Sequence, residues 1–407
     1  MTSPSPGAAA AVSLTTQAMA DAKYLNNLLA KIAEEQKFYK YDLKIEEIST
    51  GGANYTSRLY TIQIKEKENE LFLFAKVAAV GEKMRSQAPK FYDTERFAYK
   101  DLANMFYQLQ EDNKVPDENR LIFPKFYGYN PDMYNETIVL EDLVAQGYSG
   151  YDRFKSVDWP YASSALAELA KMHALSFAYG KRYPAEFGEI ADQLKFVWDI
   201  HGEGMGVYMK SVFDKAVDNV RQENKEKVSA YFANFDADTF ASYYKASRAP
   251  VLGHGDFRPS NLMHRKRDDG KIEIKIVDLQ TLQGGSPVVD LLYFIFTGSD
   301  EQFRAAHYHQ LVDHYYEQLS RAMRGLHLDP DTTYSREDFD YELKEKLPFG
   351  LTIAVFALPV VTVEEENAPK VNEDLDIASF FVKKTSDLYT ERLNGVVNDY
   401  VKWGILK

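Results

Sequence analysis

The segment HGDFRPSN at residues 254–261 has residue types and a spacing that suit the transfer of a phosphoryl group. Such a transfer needs a base that accepts the proton of the acceptor hydroxyl, and oxygen ligands that hold Mg²⁺ on the phosphates. Asp256 is spaced as the base, and Asn261 follows five positions later, where a metal ligand is expected. We predict that His254 braces this loop and that Arg258 contributes to catalysis or to the choice of substrate.

A second carboxylate, Asp278, follows in KIEIKIVDLQ, which has the composition of a strand. Strand alternation places Asp278 on the face of Ile272, Ile274 and Ile276, so we expect it to point to the apolar side. A buried carboxylate requires a compensating cation or strong hydrogen bonds. Because the HxDxxxxN pattern also arises by chance in chains of this length, Asp278 is needed to favour the catalytic interpretation. We predict that Asp278 and Asn261 bind Mg²⁺.

An upstream lysine and glutamate have the order expected of a nucleotide site. Lys76 ends the strand-like run LFLFAK, and a lysine there can simply extend from the strand end into solvent. The alternative is that it contacts the α- and β-phosphates and pairs with a glutamate on the next helix. We favour an ion pair with Glu95 in FYDTERFAY; Asp93 and Glu82 are weaker rival partners.

The segment STGGANYTS (49–57) lies between two predicted strands, where a loop that covers phosphates belongs. Its Gly52, Asn54 and Ser57 offer backbone N–H groups and side-chain donors to a triphosphate, although any hairpin can carry two glycines.

The run ETIVLEDL predicts a strand whose backbone at Glu141 and Leu143 hydrogen-bonds the edge of an adenine. An ordinary strand between two lobes remains the alternative.

These residues are distributed over two halves of different construction. The first half alternates apolar with polar residues in runs typical of strands, interrupted by two helical patterns. Its predicted strands are 41–49, 58–67, 70–79, 121–130 and 136–143. Its helical patterns cover 21–36 and about 83–110, and in the second of these Pro89 suggests that the regular helix starts there. The second half has long helical patterns at 159–180, 300–323 and 378–401, a buried helix at 351–361, and one pair of strands joined at 268–270. We predict an α+β, bilobal protein with a disordered tail (1–20), an N-lobe (21–143) and a C-lobe (144–407).

The composition excludes several classes of protein. The chain has 407 residues, 45% of them hydrophobic, which is enough for a globular protein with more than one core. A net charge of −13 disfavours DNA or RNA as a partner, and the absence of cysteine excludes disulfides and thiolate metal sites. No apolar run approaches the roughly 18 residues that a membrane helix needs. The first twenty residues lack the basic segment of a signal peptide, so we expect a cytoplasmic protein, acting as a monomer.

Together these segments resemble the ecdysteroid kinase-like family of insects, a branch of the choline kinase and aminoglycoside phosphotransferase group. The resemblance covers about residues 40–362 and rests on GGANYTS, AKV with Lys76, TERFAY with Glu95, VLEDL, LAKMHALSFA with His173, GHGDFRPSN, VDLQ with Gln280, VVDLLYF with Asp290, and FGLTIAVFALPVV. It implies a protein-kinase-like fold and transfer of the γ-phosphate of ATP, with Mg²⁺, to a hydroxyl of a small molecule. Arg258 and Pro259 stand where many members have a tryptophan-containing loop, so contacts to the acceptor are expected to differ there.

The acceptor is less well defined by the sequence than the reaction. The aromatic-rich segments 196–213 and 230–245 suit either a large apolar pocket for a steroid or plain core packing. The acidic run at 363–368 suits either a cationic acceptor or a solvated loop. We expect an ecdysteroid or a related lipophilic alcohol, followed by a choline-like, aminoglycoside-like or plant-toxin acceptor. The rivals are a pseudokinase that only binds ligands, and a protein kinase, which is disfavoured because Asp278 is followed by Leu-Gln.

Overall fold

The computed structural model describes residues 16–48, 56–195, 199, 201–202, 204–369, 374–375, 382 and 384–407, and for residues 16–22 the backbone only. Within these residues the strands are β1 (Asp42–Ile48), β2 (Ser57–Glu66), β3 (Asn69–Ala78), β4 (Phe126–Asn130), β5 (Thr137–Glu141), β6 (Ser149–Gly150), β7 (Val251–Gly253), β8 (Leu262–Lys266), β9 (Ile272–Ile276) and β10 (Gln283–Gly285). The helices are α1 (Thr16–Glu35), α2 (Glu82–Gln87), α3 (Phe91–Phe97), α4 (Ala103–Asp112), α5 (Trp159–Arg182), α6 (Pro184–Gln193), α7 (Met205–Asn219), α8 (Lys225–Phe232), α9 (Ala237–Tyr244), α10 (Pro287–Gly298), α11 (Glu301–Gly325), α12 (Pro330–Thr333), α13 (Arg336–Val361) and α14 (Asp387–Lys402). A π-helical turn, Ala98–Leu102, joins α3 to α4.

The N-lobe is one antiparallel sheet with a helix packed on it. Its strand order is β1-β2-β3-β5-β4. Helix α1 covers the sheet because Leu25, Leu29 and Ile32 recur at helical spacing and pack with Ile62 and Ile64 of β2. The five strands predicted for this half are all present. Lys76 lies on the third of them, β3.

Two N-lobe boundaries differ from the predictions. The tail expected over residues 1–20 is too long, because α1 already begins at Thr16. The strand expected over 121–130 begins only at Phe126. Pro124 lies just before that start, and a proline has no N–H to donate to a strand partner.

The helical pattern over 83–110 is interrupted at Pro89. A separate short helix, α2, lies before this proline, and α3 begins after it. A proline disfavours the helical conformation of the residue before it, and Ala88 has φ −143° and ψ 68°. After the proline, α3 continues into α4 through a turn in which the N–H of Ala103 donates to the carbonyl of Ala98, five residues earlier. That spacing defines a π-helical turn, which is frequent at functional sites.

The C-lobe is mainly helical, and α10 is buried along its whole length. The buried helix predicted over 351–361 forms the last part of α13. The predicted hairpin at 268–270 joins β8 to β9, whereas the short strands β6, β7 and β10 were not predicted. Helix α14 begins at Asp387, and the predicted start at 378 lies outside the described residues.

The two lobes share part of their packing. The sheet and α1 form one core of their own, but Phe106 and Leu109 of α4 belong to the large core of the C-lobe and pack toward α5. The π-turn and α4 therefore connect the lobes in addition to the chain that follows β5. None of the described helices is long and apolar enough to cross a membrane.

Candidate active site

The pairing of β7 with β10 shapes the start of the HGDFRPSN loop. In this pairing Gly253 lies opposite Gln283. Gly255 has a φ of +81°, and a Cβ at this position would lie 2.2 Å from the carbonyl oxygen of Thr281. Glycine is required here both for its conformation and for space. The hydroxyl of Thr281 also donates to the carbonyl of His254 at 3.0 Å, which fixes the turn from the other side.

Asp290, four residues into α10, holds the loop from below. Its carboxylate accepts the backbone N–H groups of His254 at 2.7 Å and Gly255 at 2.8 Å. It is also 3.1 Å from Nε2 of His173, whose Nδ1 contacts the hydroxyl of Tyr315 at 2.7 Å. Burial alone would raise the pKa of Asp290, but the hydrogen bond and charge of His173, with the N–H of Gly255, lower it below its usual value. Asp290 is thus a structural carboxylate that sequence reasoning had identified only as part of a family segment.

His254 braces the loop, as predicted from its position. The backbone N–H of Asp256 lies 3.2 Å from Nδ1 of His254, and because an N–H can only donate, Nδ1 is the acceptor. The proton of the neutral ring is then on Nε2, which donates to the carbonyl of Val277 at 2.9 Å. Both ring nitrogens are used inside the protein, so His254 orients Asp256 and connects it to the chain that leads to Asp278.

Asp256 has one engaged carboxylate oxygen and one that lacks a partner. Oδ2 accepts Nε of Arg258 at 3.1 Å and Nδ2 of Asn261 at 2.8 Å, and Nδ2 of Asn261 also donates to the carbonyl of Asp256 at 2.9 Å. Oδ1 is buried and has no hydrogen-bond donor among the described residues. Tyr293 is buried nearby without a hydrogen bond of normal geometry to Oδ1, and burial and then the charge of Asp256 raise the pKa of Tyr293 well above its usual value. Asp256 is therefore oriented by two donors and keeps one acceptor atom for another group.

Arg258 places a permanent positive charge beside Asp256. Its side chain is 11% exposed. Burial alone would lower its pKa, but the charge and hydrogen bond of Asp256, together with smaller contributions from Tyr293 and Asp278, raise the pKa overall. The guanidinium thus remains charged between the two carboxylates of the site.

Lys76 forms ion pairs with both Glu95 and Asp278. Its Nζ lies 2.7 Å from Oε1 of Glu95 and 2.8 Å from Oδ1 of Asp278. The pairing with Glu95 is the one predicted from the sequence; the second contact, to the C-lobe, was not. Burial opposes the charge of Lys76, but the carboxylates of Asp278 and Glu95 raise its pKa. Burial raises the pKa of Glu95, which shares the lysine with another carboxylate.

The sequence analysis placed Asp278 by strand alternation, and this part of the prediction is wrong because Asp278 lies beyond the end of the strand. Strand β9 ends at Ile276, and Asp278 adopts a left-handed conformation with φ 63° and ψ 61°. Its backbone N–H donates to the hydroxyl of Tyr99, in the π-turn, at 3.0 Å. Such a conformation is uncommon outside glycine, and the surrounding contacts stabilise it. Burial would raise the pKa of Asp278, but Lys76 lowers it, so the carboxylate remains ionised.

Asn261 and Asp278 are brought together by the β8–β9 ladder. Leu262 pairs with Ile276, and the N–H of Val277 donates to the carbonyl of Asn261 at 3.0 Å. Both side chains supply hard oxygen ligands, and Mg²⁺ typically takes only one or two such ligands from the protein, with phosphates and waters completing the shell. The described residues contain no group of three or more histidine, cysteine or acidic side chains suited to a metal. This donor set therefore fits Mg²⁺ carried by a nucleotide better than a metal held by the protein alone.

The remaining residues predicted to contact the nucleotide are partly described. Gly52 and Asn54 lie outside the described residues. Ser57 is buried at the start of β2. Glu141 ends β5, where its N–H donates to the carbonyl of Lys125, and the carbonyl of Leu143 accepts the N–H groups of two residues that follow it, Gln146 and Tyr148.

A side-chain contact joins Thr56, at the end of the predicted phosphate loop, to the segment after Asp278. The hydroxyl of Thr56 lies 3.0 Å from Oε1 of Gln280. Together with the Lys76–Asp278 pair, this contact joins the two lobes at the site.

Most described aromatic residues of the two predicted acceptor segments pack against each other. Phe213 stacks on Phe232 with ring centroids 4.3 Å apart, and Phe240 lies 5.1 Å from Phe356 of α13. This favours core packing for these rings, while part of 196–213 lies outside the described residues.

A family model described as the ecdysteroid kinase-like family matches residues 51–328 of this chain. The chain belongs to the ecdysteroid kinase-like family. The predicted resemblance, the bilobal kinase-like fold and the assignment to the small-molecule phosphotransferases are thereby confirmed. Among curated proteins, none matches the chain.

Solved structures of aminoglycoside phosphotransferases are similar to this ecdysteroid kinase-like protein at low sequence identity. A GDP complex of an aminoglycoside 2'-phosphotransferase-IIIa variant has 11% identity and a TM-score of 0.39, and the match covers 83% of this chain and 99% of that one. The GDP complex of the wild-type enzyme has 11% identity and a TM-score of 0.38, with coverage of 80% and 98%. A GDP and kanamycin complex of APH(2")-IIIa has 10% identity, a TM-score of 0.38 and the same coverage.

Proposed function

We propose that this protein transfers the γ-phosphoryl group of ATP to a hydroxyl of a lipophilic small molecule, with an ecdysteroid or related steroid as the first acceptor to test. The observation that carries the proposal is the state of Asp256. Its carboxylate is oriented by Arg258 and Asn261 through one oxygen, while the other oxygen is buried and has no donor among the described residues. A general base has this arrangement before its substrate hydroxyl arrives.

In the proposed reaction the acceptor oxygen attacks the γ-phosphorus. The new O–P bond forms as the bond between the γ-phosphorus and the β,γ-bridging oxygen breaks, and ADP leaves with that oxygen. The proton of the acceptor hydroxyl passes to Asp256. Arg258, charged and buried beside the base, stabilises the negative charge on the transferring group, which is how a fixed cation lowers this kind of barrier.

Lys76 is proposed to bind the α- and β-phosphates, with Glu95 holding it in position. Asp278 and Asn261 are proposed as the Mg²⁺ ligands, and the ion would neutralise phosphate charge when bound. The charged groups around the site favour this role: three carboxylates, Asp256, Asp278 and Glu95, face only two basic side chains. A nucleotide with several negative charges needs a further cation to bind there.

The acceptor side of the proposal rests on the family and on the surroundings of the base. The family model carries the ecdysteroid name, and Tyr244 and Tyr293 are buried next to Asp256, whose charge raises the pKa of both after burial. A ring-lined approach to the base suits a lipophilic alcohol better than a highly charged acceptor.

The test is incubation of the protein with labelled ATP, Mg²⁺ and a panel of ecdysteroids, choline, aminoglycosides and plant glycosides, read by mass spectrometry. We expect a phosphorylated ecdysteroid or related lipophilic alcohol whose formation is lost in the Asp256→Asn variant. Phosphorylation of choline or an aminoglycoside alone would overturn the acceptor class but not the reaction. Mg²⁺-dependent ATP binding with no product on any acceptor would support the pseudokinase alternative.

A further inference from the structure

A neutral side-chain contact joins the two lobes near the ion pair of the site. The hydroxyl of Thr56 donates to Oε1 of Gln280 at 3.0 Å, and Lys76 pairs with Asp278 at 2.8 Å. Gln280 follows Asp278 by two positions, and Thr56 comes directly before β2, whose Leu59 pairs with Lys76. The hydrogen bond and the ion pair therefore connect the same two pieces of the chain.

The N-lobe fixes the backbone of Thr56. The carbonyl of this residue accepts the N–H of Ala79, which follows β3, at 3.1 Å, and the hydroxyl of Tyr92, in α3, at 2.6 Å. Thr56 is also buried, and branching at Cβ restricts its side chain further. Its hydroxyl thus reaches the C-lobe from a fixed position.

Gln280 belongs to a turn that also holds the loop of His254. It is the middle residue of the 3₁₀ turn Leu279–Thr281, which follows Asp278 directly. The hydroxyl of Thr281 donates to the carbonyl of His254 at 3.0 Å. A hydrogen bond to Gln280 therefore fixes the N-lobe relative to a turn that is connected to both Asp278 and the loop of His254.

The neutral contact and the ion pair differ in what a nucleotide does to them. This step rests on the proposed function, in which Lys76 binds the phosphates and Asp278 binds Mg²⁺. Both charged groups then exchange part of their pairing for the ligand, whereas the bond between Thr56 and Gln280 uses neither group. We propose that Thr56 and Gln280 are positioning residues, which keep the two lobes in register when Mg·ATP lies between Lys76 and Asp278.

The test is the dissociation constant of Mg·ATP, measured by calorimetry on the full-length protein without any acceptor. Thr56→Val removes the hydroxyl but keeps the branched shape, and Gln280→Met removes the amide but keeps the length. We expect each variant to raise the dissociation constant about fivefold, as for the loss of one hydrogen bond. The double variant should bind no more weakly than either single one, because both substitutions remove the same bond.

Two control variants separate this role from a general loss of stability. Thr56→Ser restores the hydroxyl, so it should bind Mg·ATP within about twofold of the wild type. Thr137→Val should also retain binding, although Thr137 is buried and its hydroxyl donates to the carbonyl of Asn135 at 2.9 Å. Its neighbour Ile138 pairs with Lys76, so Thr137 lies on the other face of the sheet. The melting temperature without nucleotide shows whether each variant is folded.

The outcomes distinguish this proposal from the proposed function. Additive effects in the double variant, or unchanged binding in both single variants, would overturn the positioning role and leave the phosphotransfer reaction standing. Coupled effects on binding, together with no product on any acceptor, would overturn the proposed function and support the positioning role. A wild type that does not bind Mg·ATP would overturn both.

Discussion

Two buried arginines in the C-lobe, Arg258 and Arg392, differ in whether the protein itself balances their charge. Arg258 donates to Asp256 and lies near a second carboxylate, so its charge is compensated before any ligand arrives. Arg392 is equally buried but has no ion-pair partner among the described residues. The comparison teaches that burial of a charge does not define its role. The charge of a paired arginine is balanced before any ligand arrives, whereas Arg392 keeps a buried N–H that its described neighbours do not use.

The first and largest test of this difference concerns the carboxylate that Arg258 contacts. Asp256→Asn removes the proposed base but keeps the shape of the side chain, so we expect turnover to fall by about 10³-fold, within the usual range for a general base. The amide can still accept the hydrogen bonds of Arg258 and Asn261, but it no longer balances the charge of the buried Arg258, so we expect the melting temperature to fall by several degrees while the protein still folds. Steady-state kinetics and thermal unfolding measure the two effects, and retained turnover would contradict the assigned role.

Replacing each arginine by methionine separates the two cases directly. Arg258→Met should lower turnover by about 10²-fold or more, because it removes a fixed positive charge from the transferring group. Arg392→Met should leave turnover with saturating substrates within about twofold of the wild type. If both variants lost activity equally, the division between paired and unpaired arginine would be wrong.

Asp290 provides a smaller, mainly structural effect. The carboxylate of Asp290 accepts two backbone N–H groups and contacts His173. In Asp290→Asn one carboxylate oxygen becomes an NH₂ group, which cannot accept a hydrogen bond from any of these donors. We expect the free energy of unfolding to fall by about 3 kcal/mol, as for other broken buried networks. Urea denaturation of the wild type and variant measures it. An unchanged midpoint would show that the loop does not depend on this carboxylate.

The smallest effect is a dependence of stability on acid pH. The folded protein lowers the pKa of Asp290, so the stability that this group contributes is present above its unfolded value, about 3.9, and is lost as the pH falls below it. The free energy of unfolding, measured from pH 6 down to pH 3, should therefore fall less steeply in Asp290→Asn than in the wild type. Parallel curves would assign the acid sensitivity to other carboxylates.

The sequence predicted the parts of the site that depend on local spacing. Asp256 and Asn261 lie within one eight-residue loop, and Lys76 and Glu95 lie on a strand and the helix that follows it. The fold class followed from strand-like runs in one half and helical patterns in the other. In each case the relevant geometry is set by residues close together in the chain.

Contacts between distant residues were beyond this kind of reasoning. Asp290 holds a loop 36 residues away, and its role depends on how α10 packs under β7. The left-handed conformation of Asp278 arises from its surroundings, among them a hydroxyl supplied by Tyr99. The burial of Arg392 without an ion pair among the described residues likewise depends on how distant helices pack around it.

The π-helical turn between α3 and α4 makes the length of this segment a property of the active site. Glu95, before the turn, holds Lys76, and Tyr99, inside it, receives the N–H of Asp278. Because each residue advances an α-helix by about 100°, removing one residue from the turn would restore regular winding and rotate one contact away from the other. In this region a single-residue deletion is a change of active-site geometry, and natural or engineered variation should preserve the number of residues before it preserves their types.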